Sequence, residues 1–90
     1  MIPENRKPTH PGEILWEEFL KPQGMSQVEL AKRLKVPVLR INTLINGKRG
    51  ISPETAILLS RVFKNSPEFW MNLQITHDLY EARQALDRAA

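Results

Sequence analysis

Apolar residues recur at spacings of three and four along most of the chain, which is the pattern of helices that bury one face. No stretch alternates apolar and polar residues as a half-buried strand does, so the pattern predicts an all-α protein. Five helices follow from this spacing and from the residues that start and stop helices. They are predicted to run from residue 9 or 11 to about 20, over 26–34 and 37–45, from 52 to about 64, and from 66 to about 86.

Capping residues account for several of these boundaries. Two Ser-Pro-Glu triplets, at 52–54 and 66–68, each supply a hydroxyl N-cap, a proline for the first turn and an acid at the positive end of the helix dipole. Pro22 and Gly24 are expected to end the first helix. Gly47 suits the left-handed position that closes the third helix.

The second and third predicted helices are separated only by Lys35 and Val36. Two helices joined by so short a turn match the helix-turn-helix unit, and this unit resembles that of the phage repressors. Ala31 is small where the two helices must approach each other. Lys35 occupies a turn position that is often glycine in this family, because the backbone there is left-handed. A lysine in that conformation costs about 1 kcal/mol.

Positive charge is concentrated on this unit. The whole chain carries a net charge of +3, but residues 26–50 hold six Lys and Arg residues against Glu29 alone. Residues 51–90 hold four basic and five acidic residues. A basic block on an otherwise balanced chain is typical of a surface that binds phosphate groups, whereas a Lys/Arg cluster by itself is also consistent with a solvated face.

Three further segments resemble the HigA-type antitoxins, which are phage-repressor-like (XRE) helix-turn-helix proteins. The segments are HPGEIL at 10–15, NGKRGISP at 46–53 and PEFWMNLQ at 67–74. The resemblance implies a five-helix phage-repressor-like domain that represses transcription from double-stranded DNA. It also implies a HigB-type toxin partner that cleaves mRNA at the ribosome, with the pair repressing its own operon. The alternative is a solitary XRE-family regulator without a toxin.

The outward face of the third helix holds the candidate base-reading residues. At about 100° per residue, Leu39 and Thr43 point away from the apolar face of this helix. Arg40 and Asn42 flank them, and Val38 lies near the N-terminal end, where a recognition helix meets base edges in the major groove. Resemblance to the phage repressors assigns base reading to Val38, Leu39 and Thr43.

These side-chain types predict an A·T-rich half-site. Val38, Leu39 and Thr43 can pack on the C5-methyl groups of thymines. Asn42 can pair with adenine, and Arg40 can reach guanine or a phosphate. The alternative for Val38 and Leu39 is contact with a partner protein.

Phosphate contacts are expected around this face. Gln27 at the start of the second helix, and Lys48 and Arg49 after the third, fit that role. The basic residues Lys32, Arg33 and Lys35 are expected to be solvated.

The last helix carries two apolar stripes. One comprises Phe69, Trp70, Leu73, His77 and Tyr80, and the other includes Met71, Ile75, Leu79 and Leu86. Because one stripe suffices to cover a monomer core, the second predicts a homodimer interface. A symmetric dimer would set two recognition helices about 34 Å apart, matching a palindromic operator. The alternative is that both stripes belong to the core.

The residue types argue against an enzyme. There is no cysteine, His10 and His77 are far apart in sequence, and no metal-ligand spacing occurs. We therefore expect no catalytic group, metal or cofactor. The polar, proline-rich start argues against a signal peptide, and no apolar run approaches the length of a membrane span. A cytoplasmic protein without a membrane partner is expected.

The domain prediction is a flexible N-terminal arm over residues 1–8 and a single helix-turn-helix domain with a long C-terminal helix over 9–90. Many antitoxins wrap their toxin with an acidic disordered tail, but residues 81–90 are few and mixed in charge. The predicted toxin-binding surface therefore combines a folded part, namely Trp16, Glu17 and Glu18 of the first helix, with the arm.

Overall fold

A computed structural model describes residues 7–89 and contains five helices. The first, α1, is continuous through Pro11–Ile14, a π-helical stretch Leu15–Leu20, and Lys21–Gln23. The others are α2 (Gln27–Leu34), α3 (Val38–Ile45), α4 (Pro53–Phe63) and α5 (Pro67–Ala89). No strand occurs within residues 7–89. The predicted all-α, five-helix fold is confirmed.

All five helices contribute to one hydrophobic core. Trp70 of α5 is fully buried, and its Nε1 donates a hydrogen bond to Asn65 Oδ1 at 2.9 Å. The Phe19 ring packs on the Trp70 indole with ring centroids 4.9 Å apart, so α1 is held against α5. The other residues of the buried hydrophobic cluster on the helices are Leu15, Leu20, Leu30, Ala31, Leu34, Ile41, Leu44, Ala56 and Leu59.

The prediction that Pro22 ends the first helix is wrong. The helix continues to Gln23 and ends at Gly24, whose φ is 63°. Over the π-helical stretch the hydrogen bonds reach one residue further back, so the Lys21 N–H donates to Trp16 O, five residues earlier. A proline ring clashes with the carbonyl four residues back in an α-helix, and the wider π-helical turn relieves that clash.

Of the predicted N-terminal arm, residues 1–6 lie outside the described residues. Pro8 is buried, and Lys7 Nζ lies 3.8 Å from Glu81 Oε1 on α5. The division into an arm and a domain remains a prediction.

The start of α1 lies directly against the end of α3. Gly12 is buried, and a Cβ built on it would lie 1.8 Å from the carbonyl oxygen of Leu44. Two helix backbones therefore touch at this position, which only glycine allows. The contact fixes the C-terminal end of α3 relative to the rest of the domain.

His10 caps α1 through a neutral imidazole nitrogen. Its Nδ1 accepts a hydrogen bond from the Gly12 N–H at 2.9 Å, and its ring meets the His77 ring edge-on with centroids 4.9 Å apart. Burial, and then positive charge on His77, hold the pKa of His10 below its ordinary value of 6.5, against the opposing effect of Asp78 and Glu13. The cap therefore depends on His10 remaining unprotonated.

We expect the protein to lose stability as the pH is lowered from about 6.5, the ordinary pKa of histidine. Because the folded-state pKa of His10 is depressed, the unfolded chain binds more protons in the window below that value. Urea unfolding at a series of pH values measures the effect. His10→Asn keeps a capping acceptor but does not titrate, so its free energy of unfolding should fall less over the same window. An identical pH dependence in both proteins would contradict this role.

Candidate nucleic-acid interface

The turn between α2 and α3 has the geometry that the sequence predicts. Lys35 is left-handed, with φ 59°, and its N–H donates to Lys32 O at 3.2 Å. The Val36 N–H donates to Ala31 O at 3.0 Å. Pro37 is the N-cap of α3 and not its first helical residue. The short turn places α3 across α2 as a helix-turn-helix unit requires.

The apolar residues of α3 divide between its two faces. Ile41 and Leu44 are buried in the core, whereas the Leu39 side chain is 67% exposed and Val38 is 44% exposed. The inward and outward faces therefore agree with the helical periodicity of the sequence. Two large aliphatic side chains exposed next to each other indicate a surface that contacts another molecule.

Thr43 presents its methyl group and not its hydroxyl for an outside contact. Its Oγ1 lies 3.0 Å from Leu39 O and 3.1 Å from Arg40 O, so the hydroxyl hydrogen is bonded within the helix. A contact from Thr43 to a thymine methyl group is therefore easier than a hydroxyl hydrogen bond to a base edge.

Both the nitrogen and the oxygen of the Asn42 side-chain amide form hydrogen bonds within the protein. Its Nδ2 donates to Gln27 Oε1 at 3.2 Å, and its Oδ1 accepts from Asn46 Nδ2 at 3.2 Å. The chain of three amides joins the start of α2 to the end of α3. A bidentate contact from Asn42 to adenine would have to replace both bonds. Sequence reasoning selected Gln27 and Asn42 separately and missed Asn46 and the linkage.

Arg40 lies back against the start of α4. Its Nη2 donates to Thr55 Oγ1 at 3.1 Å and lies 3.5 Å from Glu54 Oε1. Sequence reasoning placed Arg40 on the outward face but did not find these partners, because they are 14 and 15 residues further along the chain.

The cations that follow α3 are exposed beside its outward face. Gly47 closes the helix with φ 74°, and the Lys48 N–H donates to Thr43 O at 2.9 Å. A shallow depression at this point is lined by Pro37, Leu39, Arg40, Thr43, Lys48 and Arg49. Positive charge therefore surrounds an apolar patch on the recognition helix.

The solvated cations behave as the sequence predicts. Arg33 pairs with Glu29 one turn away, with Nη2 and Oε2 3.0 Å apart on the surface of α2. Lys32 and Lys35 are exposed. The cations that line the depression are Arg40, Lys48 and Arg49.

The loop after α3 is anchored to α5 by a buried glutamine that the sequence did not indicate. The Ile51 N–H donates to Gln74 Oε1, 2.6 Å away, and Gln74 Nε2 donates to Asp78 Oδ1 at 2.8 Å. The anchor holds the segment that carries Lys48 and Arg49.

The two stripes of α5 face in opposite directions. Trp70 is buried, and Leu73, His77 and Tyr80 are half-buried, so most of the first stripe packs on the core. Of the second stripe, Met71 is half-buried, but Ile75, Leu79 and Leu86 are 49%, 47% and 70% exposed. The alternative in which both stripes belong to the core is wrong for this fold.

Within residues 7–89, no three His, Asp or Glu side chains are grouped to hold a metal ion, although His10 and His77 meet. No helix in that part of the chain is long and apolar enough to cross a membrane. Glu17 and Glu18 are exposed on α1 and Trp16 is half-buried, so their role toward a toxin stays a prediction.

Comparison with known proteins agrees with this geometry. A helix-turn-helix family model matches residues 17–70. Virulence-associated protein I of Dichelobacter nodosus is 48% identical over 75 residues, which are 83% of this chain and 69% of that protein. Antitoxin HigA-1 of Vibrio cholerae is 38% identical over 85 residues, 94% of this chain and 80% of that protein.

A solved structure extends the similarity to the whole fold. Pseudomonas aeruginosa antitoxin HigA, solved with the higBA promoter, superposes with a TM-score of 0.87 and 44% identity. The match covers 91% of this chain and 89% of that one. The chain therefore belongs to the helix-turn-helix family, in the branch that includes the HigA antitoxins.

Proposed function

We propose that the chain is a sequence-specific DNA-binding transcriptional repressor and the antitoxin of a type II toxin–antitoxin pair. It represses its own operon and neutralises an mRNA-cleaving, HigB-type toxin. The observation that carries the proposal is the outward face of α3, where Val38 and Leu39 are exposed and Leu39 shares a depression with Lys48 and Arg49. A similar HigA antitoxin has been solved with promoter DNA. The function needs no catalytic group, metal or cofactor, and it places the protein in the cytoplasm.

Base reading is assigned to the N-terminal half and the middle of α3. Val38, Leu39 and the Thr43 methyl group pack on thymine methyl groups in the major groove. Asn42 and Arg40 supply the polar contacts to the bases. Each of these side chains is already hydrogen-bonded within the protein, Asn42 to Gln27 and Arg40 to Thr55. The half-site is therefore rich in A·T pairs.

Selection of duplexes from a random pool by the purified full chain tests the proposal. We expect a palindromic consensus with thymine or adenine in the core of each half-site. A pool that stays unenriched, or one enriched without any sequence preference, would contradict sequence-specific binding.

Phosphate contacts are assigned to Gln27, Lys48 and Arg49. Gln27 lies at the first residue of α2, where backbone N–H groups also favour an anion. Lys48 and Arg49 are exposed next to the recognition helix. These contacts fix the position of α3 on the duplex and carry no sequence information.

Lys48→Ala is expected to weaken binding to selected and unrelated duplexes by the same factor, because a phosphate contact is independent of sequence. The slope of log affinity against log salt should become shallower by about one. Fluorescence anisotropy at a series of salt concentrations measures both quantities. Lys32→Ala, which removes a cation of α2 outside the depression, should change the slope less. A shift in sequence preference for Lys48→Ala would contradict the assignment.

The homodimer is assigned to the exposed stripe of α5. Ile75, Leu79 and Leu86 lie opposite the core face of this helix, and their exposed fractions are 49%, 47% and 70%. Burial of two such stripes against each other, with Met71 at their edge, would relate two recognition helices by a two-fold axis. This arrangement suits a palindromic operator.

Co-expression with the neighbouring reading frame tests the antitoxin role. A stable complex that relieves growth arrest would support it. Absence of both toxicity and complex would leave a solitary XRE-family regulator, which would still bind its own promoter. The predicted toxin surface includes Trp16, Glu17 and Glu18, and the first six residues of the arm lie outside the described residues.

A further inference from the structure

The guanidinium of Arg40 is held by only one of its three nitrogens. Nη2 donates to Thr55 Oγ1 at 3.1 Å and lies 3.5 Å from Glu54 Oε1. Within residues 7–89, Nε and Nη1 make no hydrogen bond. An arginine carries five N–H donors in a planar fork, so fixing one nitrogen orients the others.

The group that holds Arg40 is itself rigid. Thr55 is buried, and its Oγ1 accepts a hydrogen bond from Ser52 Oγ at 3.1 Å. Ser52 is the N-cap of α4, and its Oγ accepts from the Thr55 N–H at 3.2 Å. The position of the Arg40 side chain is therefore fixed by hydrogen bonds to the N-terminus of α4.

Arg40 also lines the depression beside the recognition helix. Leu39, Thr43, Lys48 and Arg49 share this depression. These are residues to which base and phosphate contacts are assigned above. A guanidinium oriented at this edge can donate two hydrogen bonds to the O6 and N7 atoms of a guanine.

We infer that Thr55 and Glu54, which need not touch DNA, are positioning residues that set the sequence preference of Arg40. Thr55 fixes the orientation in which Arg40 reads a guanine beside the A·T-rich core. The Glu54 carboxylate offsets the charge of Arg40 and lowers its attraction to phosphates of any sequence. The inference rests on the proposed DNA-binding function and extends it to two residues outside the helix-turn-helix unit.

The test starts from the consensus duplex selected by the unmodified protein. Arg40→Gln should abolish preference for one guanine, a loss of about ten-fold or more in discrimination against the other bases. Thr55→Val should reduce that same preference by about three- to ten-fold, as loss of one hydrogen bond does. Thr55→Ser keeps the hydroxyl and should retain the preference. Thermal unfolding checks that each variant is folded.

Glu54→Gln provides a second test. Because Glu54 is exposed, its replacement does not disturb the packing of the core. It should raise affinity for unrelated duplexes by about two- to five-fold, the range typical of exposed ion pairs. Affinity for the consensus should rise less, so the ratio of consensus affinity to unrelated-duplex affinity should fall. In the Arg40→Gln background, Glu54→Gln should leave this ratio unchanged, because the residue it acts through is absent.

Two results would overturn the inference while leaving the proposed function intact. One is a consensus in which no guanine preference depends on Arg40. The other is an unchanged preference in both Thr55→Val and Glu54→Gln. Failure of the unmodified protein to select any consensus would instead contradict the proposed function itself.

Discussion

Replacing Gly12 with alanine is expected to lower the free energy of unfolding by about 2–3 kcal/mol, as overpacking of a close contact does. The added Cβ would lie 1.8 Å from the Leu44 carbonyl oxygen and 2.6 Å from its carbonyl carbon. Both are backbone atoms, so no side chain can move aside. Either α1 or the end of α3 has to shift, and DNA affinity should fall with stability because α3 carries the side chains proposed to read bases.

Gly24→Ala is the matched control for this prediction. Gly24 has a left-handed φ of 63°, but a Cβ there would meet nothing within 4 Å. Alanine at this position pays only the backbone strain, about 1 kcal/mol. Urea unfolding of the two variants compares steric clash with backbone strain. Equal losses, or a Gly12→Ala protein as stable as the unmodified one, would contradict the packing of α1 on α3.

Leu79→Glu is expected to separate the dimer and to weaken binding to the palindromic operator by about a hundred-fold or more. The side chain is 47% exposed on the outer stripe of α5, and a carboxylate there would be buried against its symmetry mate. A monomer contacts one half-site at a time and loses the benefit of linked binding. Sedimentation equilibrium and operator titration measure the two effects.

Gln84→Glu introduces the same charge about 140° around the helix from Leu79, on the side of α5 that faces away from the stripe. This control should remain dimeric and bind the operator normally. The contradicting result for Leu79→Glu would be a folded variant that sediments like the unmodified protein and binds the operator equally well.

The parts of the fold that could be predicted from sequence are those with local causes. Ser26, Ser52 and Ser66 each accept a hydrogen bond from the backbone N–H three residues later, as the capping pattern implies. Lys35 takes the left-handed turn conformation, and Gly47 closes α3. The outward face of α3 also follows from periodicity, because a helix of known start and buried face leaves no other choice.

The parts that could not be predicted depend on residues that the fold brings together. The approach of Gly12 to Leu44 and the meeting of the two histidines each join distant segments, and neither leaves a local pattern. Gln74 illustrates the same limit. A glutamine on a helix is usually solvated, but this one is buried and accepts a hydrogen bond from the N–H of Ile51 in the loop. Pro22 gave a wrong predicted end for α1, because a proline predicts the end of a helix and the sequence does not indicate the π-helical turn that accommodates it.

The same limit applied within the candidate interface. Arg40 and Asn42 could be placed on the outward face, but their bonds to Thr55 and Gln27 depend on how α3 lies relative to α2 and to the start of α4. Those bonds determine which donors are free to meet DNA. The residue types therefore indicate that the outward face of α3 is the candidate interface. The packing of the helices determines how each side chain on that face is oriented.

The proposed function places α3 in the major groove with Leu39 against a thymine methyl group. Replacing that thymine by uracil in the selected duplex removes only the methyl group and should weaken binding of the unmodified protein by about four-fold. Leu39→Ala should bind the thymine and uracil duplexes almost equally, because the side chain that packs on the methyl is gone. A uracil substitution that has no effect at any position of the half-site, or one that costs Leu39→Ala as much as it costs the unmodified protein, would contradict the claim.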